Sequence, residues 1–313
     1  MDMRQSEMRT VLITGATGLI GKEAIKPLVE AGFKVFALSS HNNINVNNAV
    51  ESDITFVGAD ILNYDDIKKV FLQIKPEYLL HFAWITNAGY LTSELNYKLR
   101  DASIFMLKTF KENGGKRAVF AGTCFEYDFN GNAEHSHSVN EHKLNENDKL
   151  NPATIYAQCK NELHNMADEY AKQNDLSFGW GRIFYVFGHN EHPNRLLPTI
   201  INNLKNNKKV LITAGPLVRD YMYTKDIAAG FVKFLDSDVT GTVNICLGRG
   251  ITIKEFTLAV ANKTGNSELV EFADDVKGQP PFIVGDVNRL SSEVKFYPKY
   301  NLNDSLDEII SQL

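Results

Sequence analysis

The chain has 313 residues, 43% of them hydrophobic and 23% charged, with a net charge of −5. That is long enough for a large core with a smaller domain beside it, since a chain near 300 residues buries about 75% of its unfolded surface. Mild acidity excludes a global field favouring nucleic acid or an anionic membrane, so an anionic ligand needs local help from backbone amides or one arginine.

Residues 1–9 carry Asp2, Arg4, Glu7 and Arg9 without an apolar stretch, which reads as neither a signal peptide nor a membrane anchor. No window of 18 apolar residues is present, so no span is predicted. Residues 10–14 read as a buried strand, 18–32 as a helix ending at a glycine, and 34–38 and 54–57 as strands. Residues 65–74 read as a helix stopping before Pro76, 78–82 as a strand, 95–112 as a helix closed by Gly114-Gly115, and 117–121 as a fifth strand. A long helix over 152–173 has Pro152 in its first turn, and 176–183 is a sixth strand. Strand–helix alternation of this kind implies a parallel sheet covered on both faces.

Two stretches break the rhythm. Residues 40–51 are rich in asparagine and read as a loop. Residues 128–151 are polar and hold His135, His137 and His142, without a regular scaffold or a cysteine partner, so they read as a solvated loop and no metal is expected. After residue 185, Pro193, Pro198, Pro216, Pro280, Pro281 and Pro298 punctuate shorter elements, as in a smaller second domain. The expected division is 1–178 and 179–313, partly interleaved. Cys124, Cys159 and Cys246 are odd in number and widely spaced, which fits a reducing, cytoplasmic compartment.

The turn after the first strand reads Thr14-Gly15-Ala16-Thr17-Gly18-Leu19-Ile20-Gly21. Gly15 suits a tight turn, Gly18 lets a pyrophosphate approach the backbone, and Gly21 lets the helix pack on the sheet. The helix start offers N–H groups and partial positive charge to phosphates. The second strand ends in Ser39-Ser40-His41. No carboxylate stands there to repel a 2′-phosphate, so NADP(H) is favoured and NAD(H) is the alternative. Asp60 follows the third strand, placed for an adenine edge or as a cap.

Tyr156 and Lys160 lie four apart on the long predicted helix, on one face. An ammonium and an oxidised nicotinamide ring both favour the phenolate of a group whose free pKa is about 10. That makes Tyr156 a general acid/base candidate. Thr123 directly follows the fifth strand, where ligand sites of open parallel sheets lie, and its hydroxyl suits a reacting oxygen. The alternative is a turn threonine bonding its own backbone.

Together these motifs resemble the extended short-chain dehydrogenase/reductase family, and within it the NAD-dependent epimerases and dehydratases of nucleotide sugars. The resemblance runs from Thr10 to about Leu306. It implies an α/β fold: a Rossmann-type doubly wound parallel sheet with a smaller C-terminal α+β substrate domain. It implies Thr123, Tyr156 and Lys160 as the catalytic set, with Lys160 on the nicotinamide ribose. Along the cofactor it places Gly15, Thr17, Gly18, Leu19, Ile20, Gly21, Ser39, Ser40, Asp60, Ile61, Phe82 and Ala83. Residues 182–188 look like the segment crossing to the substrate domain. In Val218-Arg219-Asp220-Tyr221-Met222-Tyr223 the arginine faces a nucleotide diphosphate, or else pairs with Asp220 or Asp226. Trp84, Cys124, Asn194, Arg195 and Tyr223 complete the substrate side.

Departures narrow the reading. Dehydratases of this group carry Thr-Asp-Glu where this chain has Thr123-Cys124-Phe125. The Asn-x-x-Gly of many relatives is replaced by Lys98-Leu99-Arg100-Asp101, with Asn96 nearby. The stretch 122–127, with His81-Phe82-Ala83-Trp84 upstream, looks most like 4-ketoreductases of deoxysugar biosynthesis. Hydride then goes to C4 of a nucleoside-diphosphate-4-keto-6-deoxyhexose, Tyr156 donates the proton, and Thr123 stabilises the oxyanion. An epimerase is the nearest rival, acting at C4 by transient oxidation or at C3/C5 through a pair of Cys124 with His189 or His192. A non-catalytic NAD(P)-sensing protein is the rival of another class. The resemblance also implies a homodimer through a four-helix bundle of the helices at 95–112 and 152–173.

Overall fold

The computed structural model describes residues 9–40, 53–129, 142–273, 276 and 278–312. His41, His135, His137 and most of the asparagine-rich stretch lie outside them. Two compact units divide the chain: Met1–Gly122 with Thr154–Gly181 and Phe231–Thr242, and Thr123–Ala153 with Arg182–Gly230 and Val243–Leu313.

The chain opens with β1 (Arg9–Thr14), α1 (Gly21–Glu30), β2 (Phe33–Ser39), β3 (Ile54–Gly58), α2 (Tyr64–Ile74) and β4 (Tyr78–His81). It continues through α3 (Leu95–Glu112), β5 (Arg117–Thr123), α4 (Ile155–Gln173) and β6 (Ser177–Ile183). Val11, Leu12 and Ile13 are fully buried in succession, and all seven residues of β5 are buried, as expected of strands covered on both faces. α1 buries Ala24, Ile25 and Leu28 on one side, while α2 buries Ile67, Val70 and Phe71. Asn63 caps α2, and Lys75 ends it at a left-handed φ of 47° just before Pro76. α3 and α4 pack side by side.

Two helix starts differ from the sequence reading. The helix expected from Gly18 begins at Gly21, because Gly18 turns back to donate to the Gly15 carbonyl at 2.9 Å. Pro152 is not in the first turn of α4. Thr154 is the N-cap, its hydroxyl accepting from the Ala157 N–H at 3.2 Å, so the proline lies before the helix.

The later elements are shorter: β7 (Tyr185–Phe187), α5 (Leu196–Lys205), β8 (Val210–Ile212), β9 (Val218–Arg219), β10 (Tyr221–Tyr223), α6 (Thr224–Leu235) and β11 (Gly241–Ile245). Last come β12 (Ile251–Thr252), α7 (Ile253–Thr264), β13 (Val270–Phe272), β14 (Phe282–Ile283), α8 (Asn288–Ser292) and α9 (Leu302–Ser311). Small sheets pair β7 with β10, β8 with β13, and β9 with both β12 and β14. No helix among the described residues is long and apolar enough to cross a membrane.

The main sheet has seven strands in the order β11-β6-β5-β4-β1-β2-β3. β1 pairs in parallel with both β2 and β4, so the winding direction reverses there, and ligands of such sheets bind outside the strand ends at that point. Arg117 at the start of β5 holds the end of α6. It donates to the carbonyls of Leu235 (3.0 Å), Phe234 (2.8 Å) and Val239 (2.6 Å), and to Ser177 Oγ (2.5 Å). A cation at a helix C-terminus satisfies carbonyls that have no helical partner.

Candidate functional site

At the winding reversal, the glycine turn is built for close approach. Gly15 has φ +67°, and a Cβ on it would lie 2.8 Å from Ala83 N. A Cβ on Gly21 would lie 2.1 Å from the Gly15 carbonyl oxygen. The turn therefore packs against Phe82 and Ala83 at the end of β4, and no side chain caps α1 at Ile20. Backbone N–H groups and the positive end of the helix are the features a phosphate needs. Thr17 and Ser39 hydroxyls meet at 3.1 Å, joining the turn to the end of β2, while Ser40 is exposed. Asp60 is exposed and accepts from the Leu62 N–H at 3.0 Å, which is the capping role, with Ile61 buried beside it.

Beneath the turn runs a buried polar chain. Ala83 N–H donates to Thr14 Oγ1 (3.2 Å), which lies 2.6 Å from His81 Nδ1. Nε2 of His81 lies 2.8 Å from Ser103 Oγ, which donates to the Leu99 carbonyl (2.7 Å). Ser103 spends its proton on Leu99, so Nε2 carries the ring proton and Nδ1 accepts from Thr14. Burial, and secondarily the Lys160 charge, holds His81 well below its usual pKa and keeps it neutral.

On α4, Tyr156 and Lys160 are both buried, 8% and 3% exposed. Lys160 Nζ donates to the Ala121 carbonyl at 2.7 Å and sits 3.8 Å from the centre of the Trp84 ring. Tyr156 meets Tyr90 edge-on at 4.9 Å and Trp84 edge-on at 6.4 Å. Trp84 thus stands with the phenol and the ammonium. Sequence reasoning named it only by resemblance and did not single out Tyr90.

In the second unit, Thr123 ends β5 and caps a short 3-10 turn over Cys124–Glu126. Its hydroxyl accepts from Phe125 N–H at 3.3 Å, so the turn-threonine role is present. The Thr123 N–H donates to Glu126 Oε1 at 2.9 Å. Glu126 is fully buried and pairs through Oε2 with Arg182 Nε at 2.8 Å. Arg182 Nη1 also donates to Tyr127 Oη (3.2 Å) and the Glu146 carbonyl (3.3 Å), and Tyr127 donates to Asn244 Oδ1 (2.7 Å). Burial pushes the Cys124 thiol far above its usual pKa, so it packs as a small apolar group.

Arg219 is 3% exposed, and neither expected carboxylate pairs with it. Asp220 accepts from the N–H groups of Leu247, Gly248 and Gly285, and Asp226 from those of Lys299 and Tyr300. Arg219 donates to the Val218 carbonyl at 2.8 Å, bonds the Tyr185 hydroxyl, and stacks 5.4 Å over the Tyr185 ring. A buried guanidinium with no carboxylate paired to it among the described residues is suited to an anionic ligand. Tyr185, absent from the sequence-derived set, adjoins Tyr221 edge-on at 5.5 Å.

Tyr221 opens a cavity of about 370 Å³, lined also by Phe187, Tyr223, Arg249, Glu255 and Tyr300. Tyr223 is buried, stacked on Phe187 at 5.5 Å and bonded to Glu308. Asn194 is exposed, and Arg195 precedes α5 as its N-cap, so these two stand on the loop before that helix. His142 bonds Asp148 Oδ2 at 2.7 Å, and no group of three His, Cys, Asp or Glu fit for a metal is found among the described residues.

Fold and turn together define a dinucleotide-binding enzyme of the extended short-chain dehydrogenase/reductase type. The chain belongs to the NAD dependent epimerase/dehydratase family, whose pattern matches residues 11–246. UDP-glucose 4-epimerase of Bacillus subtilis is 24% identical, covering 94% of each chain. The dTDP-6-deoxy-L-talose 4-dehydrogenase (NAD(+)) of Aggregatibacter actinomycetemcomitans is 27% identical over 76% of this chain and 84% of its own. The crystal structure of Thermus thermophilus UDP-glucose 4-epimerase in complex with NAD superposes with a TM-score of 0.82 at 20% identity, covering 97% of this chain and all of that one (100%).

Proposed function

We propose that this chain is an NAD(P)H-dependent 4-ketoreductase of a nucleoside-diphosphate-4-keto-6-deoxyhexose. The observation that carries it is the setting of Tyr156 and Lys160: a buried phenol with an ammonium one helical turn away on the same face. The residues fit a dinucleotide, because Gly15 and Gly21 let the turn pack tightly between β1 and α1, and α1 lacks a side-chain cap, leaving its N-terminal N–H groups for a phosphate. When bound, the dinucleotide supplies or accepts the hydride.

In this reading the backbone of residues 15–21 holds the pyrophosphate, and Thr17, Ser39 and Ser40 stand at the adenosine ribose. With no carboxylate ending β2, NADP(H) is favoured. Lys160 bonds the nicotinamide ribose and keeps the phenol acidic, Tyr156 delivers a proton to the C4 oxygen, and the Thr123 hydroxyl bonds that oxygen. Arg219 takes the diphosphate, with Tyr185 beside it, and the cavity at Tyr221 takes apolar parts of the substrate. Residues 1–178 chiefly serve the cofactor and 179–313 the substrate, with Trp84 and Cys124 from the first part joining Asn194, Arg195 and Tyr223 on the substrate side. A homodimer through α3 and α4 fits the exposed Tyr97 and Met166 on those helices.

The second reading, a C4 epimerase, is favoured by the UDP-glucose 4-epimerase relative over nearly its whole length. The raised Cys124 thiol weighs against the C3/C5 type. Absorbance of the reduced nicotinamide, followed with a panel of 4-keto-6-deoxy nucleotide sugars, tests the proposal. Net consumption that Tyr156→Phe lowers by about 10²-fold or more supports the reductase. Interconversion of 4-hydroxy sugars without net consumption replaces it with the epimerase.

A further inference from the structure

Trp84 and Asn96 make a fixed joint. The Trp84 indole N–H donates to Asn96 Oδ1 at 2.7 Å. Asn96, in the first turn of α3, is 0% exposed, and its Nδ2 donates to the carbonyls of Tyr90 (2.7 Å) and Ser93 (2.8 Å). Both amide protons and the amide oxygen are therefore committed. Turning the amide over would set its NH₂ against the indole N–H and its oxygen against two carbonyls, so one orientation is enforced.

The two aromatic residues held by that amide are those around the phenol and the ammonium. Lys160 Nζ lies on the Trp84 face at 3.8 Å, and the Trp84 and Tyr90 rings meet Tyr156 edge-on, at 72° and 77° between planes. A lysine has four side-chain torsions to immobilise, and a ring face together with the Ala121 carbonyl gives its head two anchors.

We propose that Asn96 and Trp84 are positioning residues: the buried amide locks the indole, and the indole holds the Lys160 ammonium in register with the Tyr156 phenol. This deepens the proposed function and rests on its assignment of Tyr156 and Lys160. An aromatic face stabilises the ammonium, and an ammonium held close favours the phenolate. Loosening the indole should therefore raise the pKa of Tyr156.

The test uses Trp84→Phe, which keeps a ring face but removes the N–H anchor, and Trp84→Leu, which removes both. The first readout is the tyrosinate absorbance of the full chain against pH, with Tyr156→Phe subtracted to isolate one phenol. It needs no turnover, so it stands even if the substrate assignment fails. The second is the pH profile of kcat for oxidation of the nucleotide-sugar alcohol. The midpoint should move up by about half a pH unit in Trp84→Phe and about one unit in Trp84→Leu. A Tyr156 midpoint equal to the parent's in both variants overturns the proposal. So does a change confined to substrate KM, which would make Trp84 only a wall. If the tyrosinate shift occurs without any nucleotide-sugar turnover by the parent, the positioning role stands and the proposed function falls.

Discussion

Replacing Glu126 with alanine should destabilise the second unit far more than replacing the whole ion pair. The carboxylate is completely buried and the Arg182 side chain is 2% exposed. Without Glu126, the guanidinium keeps, among the described residues, its longer bonds to Tyr127 and the Glu146 carbonyl, and the Thr123 N–H loses the Glu126 acceptor. Removing one partner of a buried pair costs about 3–5 kcal/mol, whereas replacing both with apolar residues of similar volume is often close to neutral. Glu126→Ala should therefore lose about 3–5 kcal/mol, and Glu126→Leu combined with Arg182→Met less than about 2 kcal/mol. Urea unfolding followed by far-UV circular dichroism, run on the parent, Glu126→Ala, Glu126→Leu, Arg182→Met and the double Glu126→Leu/Arg182→Met, gives the loss and the coupling directly. Additive losses, or a Glu126→Ala midpoint equal to the parent's, would refute the reasoning.

Burial pushes the Glu191 carboxyl up to about 7, against the pull of the Gly188 N–H at 3.0 Å and of Arg195. The folded chain then binds this proton more tightly than the unfolded chain, whose value is near 4.5. This contribution to stability falls as pH rises from about 4.5 to about 7, by at most about 3 kcal/mol, since the group keeps partial solvent access. Glu191→Gln should remove that slope, so a melting temperature that tracks pH as the parent's does counts against the assignment. Gly21→Ala places a methyl group 2.1 Å from the Gly15 carbonyl oxygen, which is backbone and cannot step aside. It should cost about 1–3 kcal/mol and weaken dinucleotide binding at least about tenfold, and a fluorescence titration showing unchanged affinity would disprove the close-packing role.

What the sequence revealed, and what it hid, follows the range of the interactions. The glycine turn is local, so its strand, bend and helix could be read within thirty residues, and α3 was bounded correctly at both ends. The start of α4 was misplaced because Pro152 and Thr154 are competing signals two residues apart, and the hydroxyl cap prevailed. The bond between Glu126 and Arg182 spans 56 positions, and nothing local marks either residue as a partner. In the sequence Asn96 stands only near the stretch that replaces the family's Asn-x-x-Gly, and its three hydrogen bonds reveal what it holds. Arg219 carried two neighbouring carboxylates in its own motif, yet both turn to backbone N–H groups of residues 27 to 74 positions away, which no local pattern announces. Beyond β6 most strands are two or three residues long, too short for periodicity to register.

The patchwork make-up of the two units bears on how the chain is born. The first unit needs Phe231–Thr242, and Arg117 finds three of its acceptors only there. A polypeptide emerging from the ribosome reaches residue 122 with much of its sheet synthesised but this guanidinium still unanswered. Synthesis must pass residue 242 before the first unit has all of its segments. A fragment ending at residue 122 would therefore lack the three carbonyls that hold the Arg117 guanidinium.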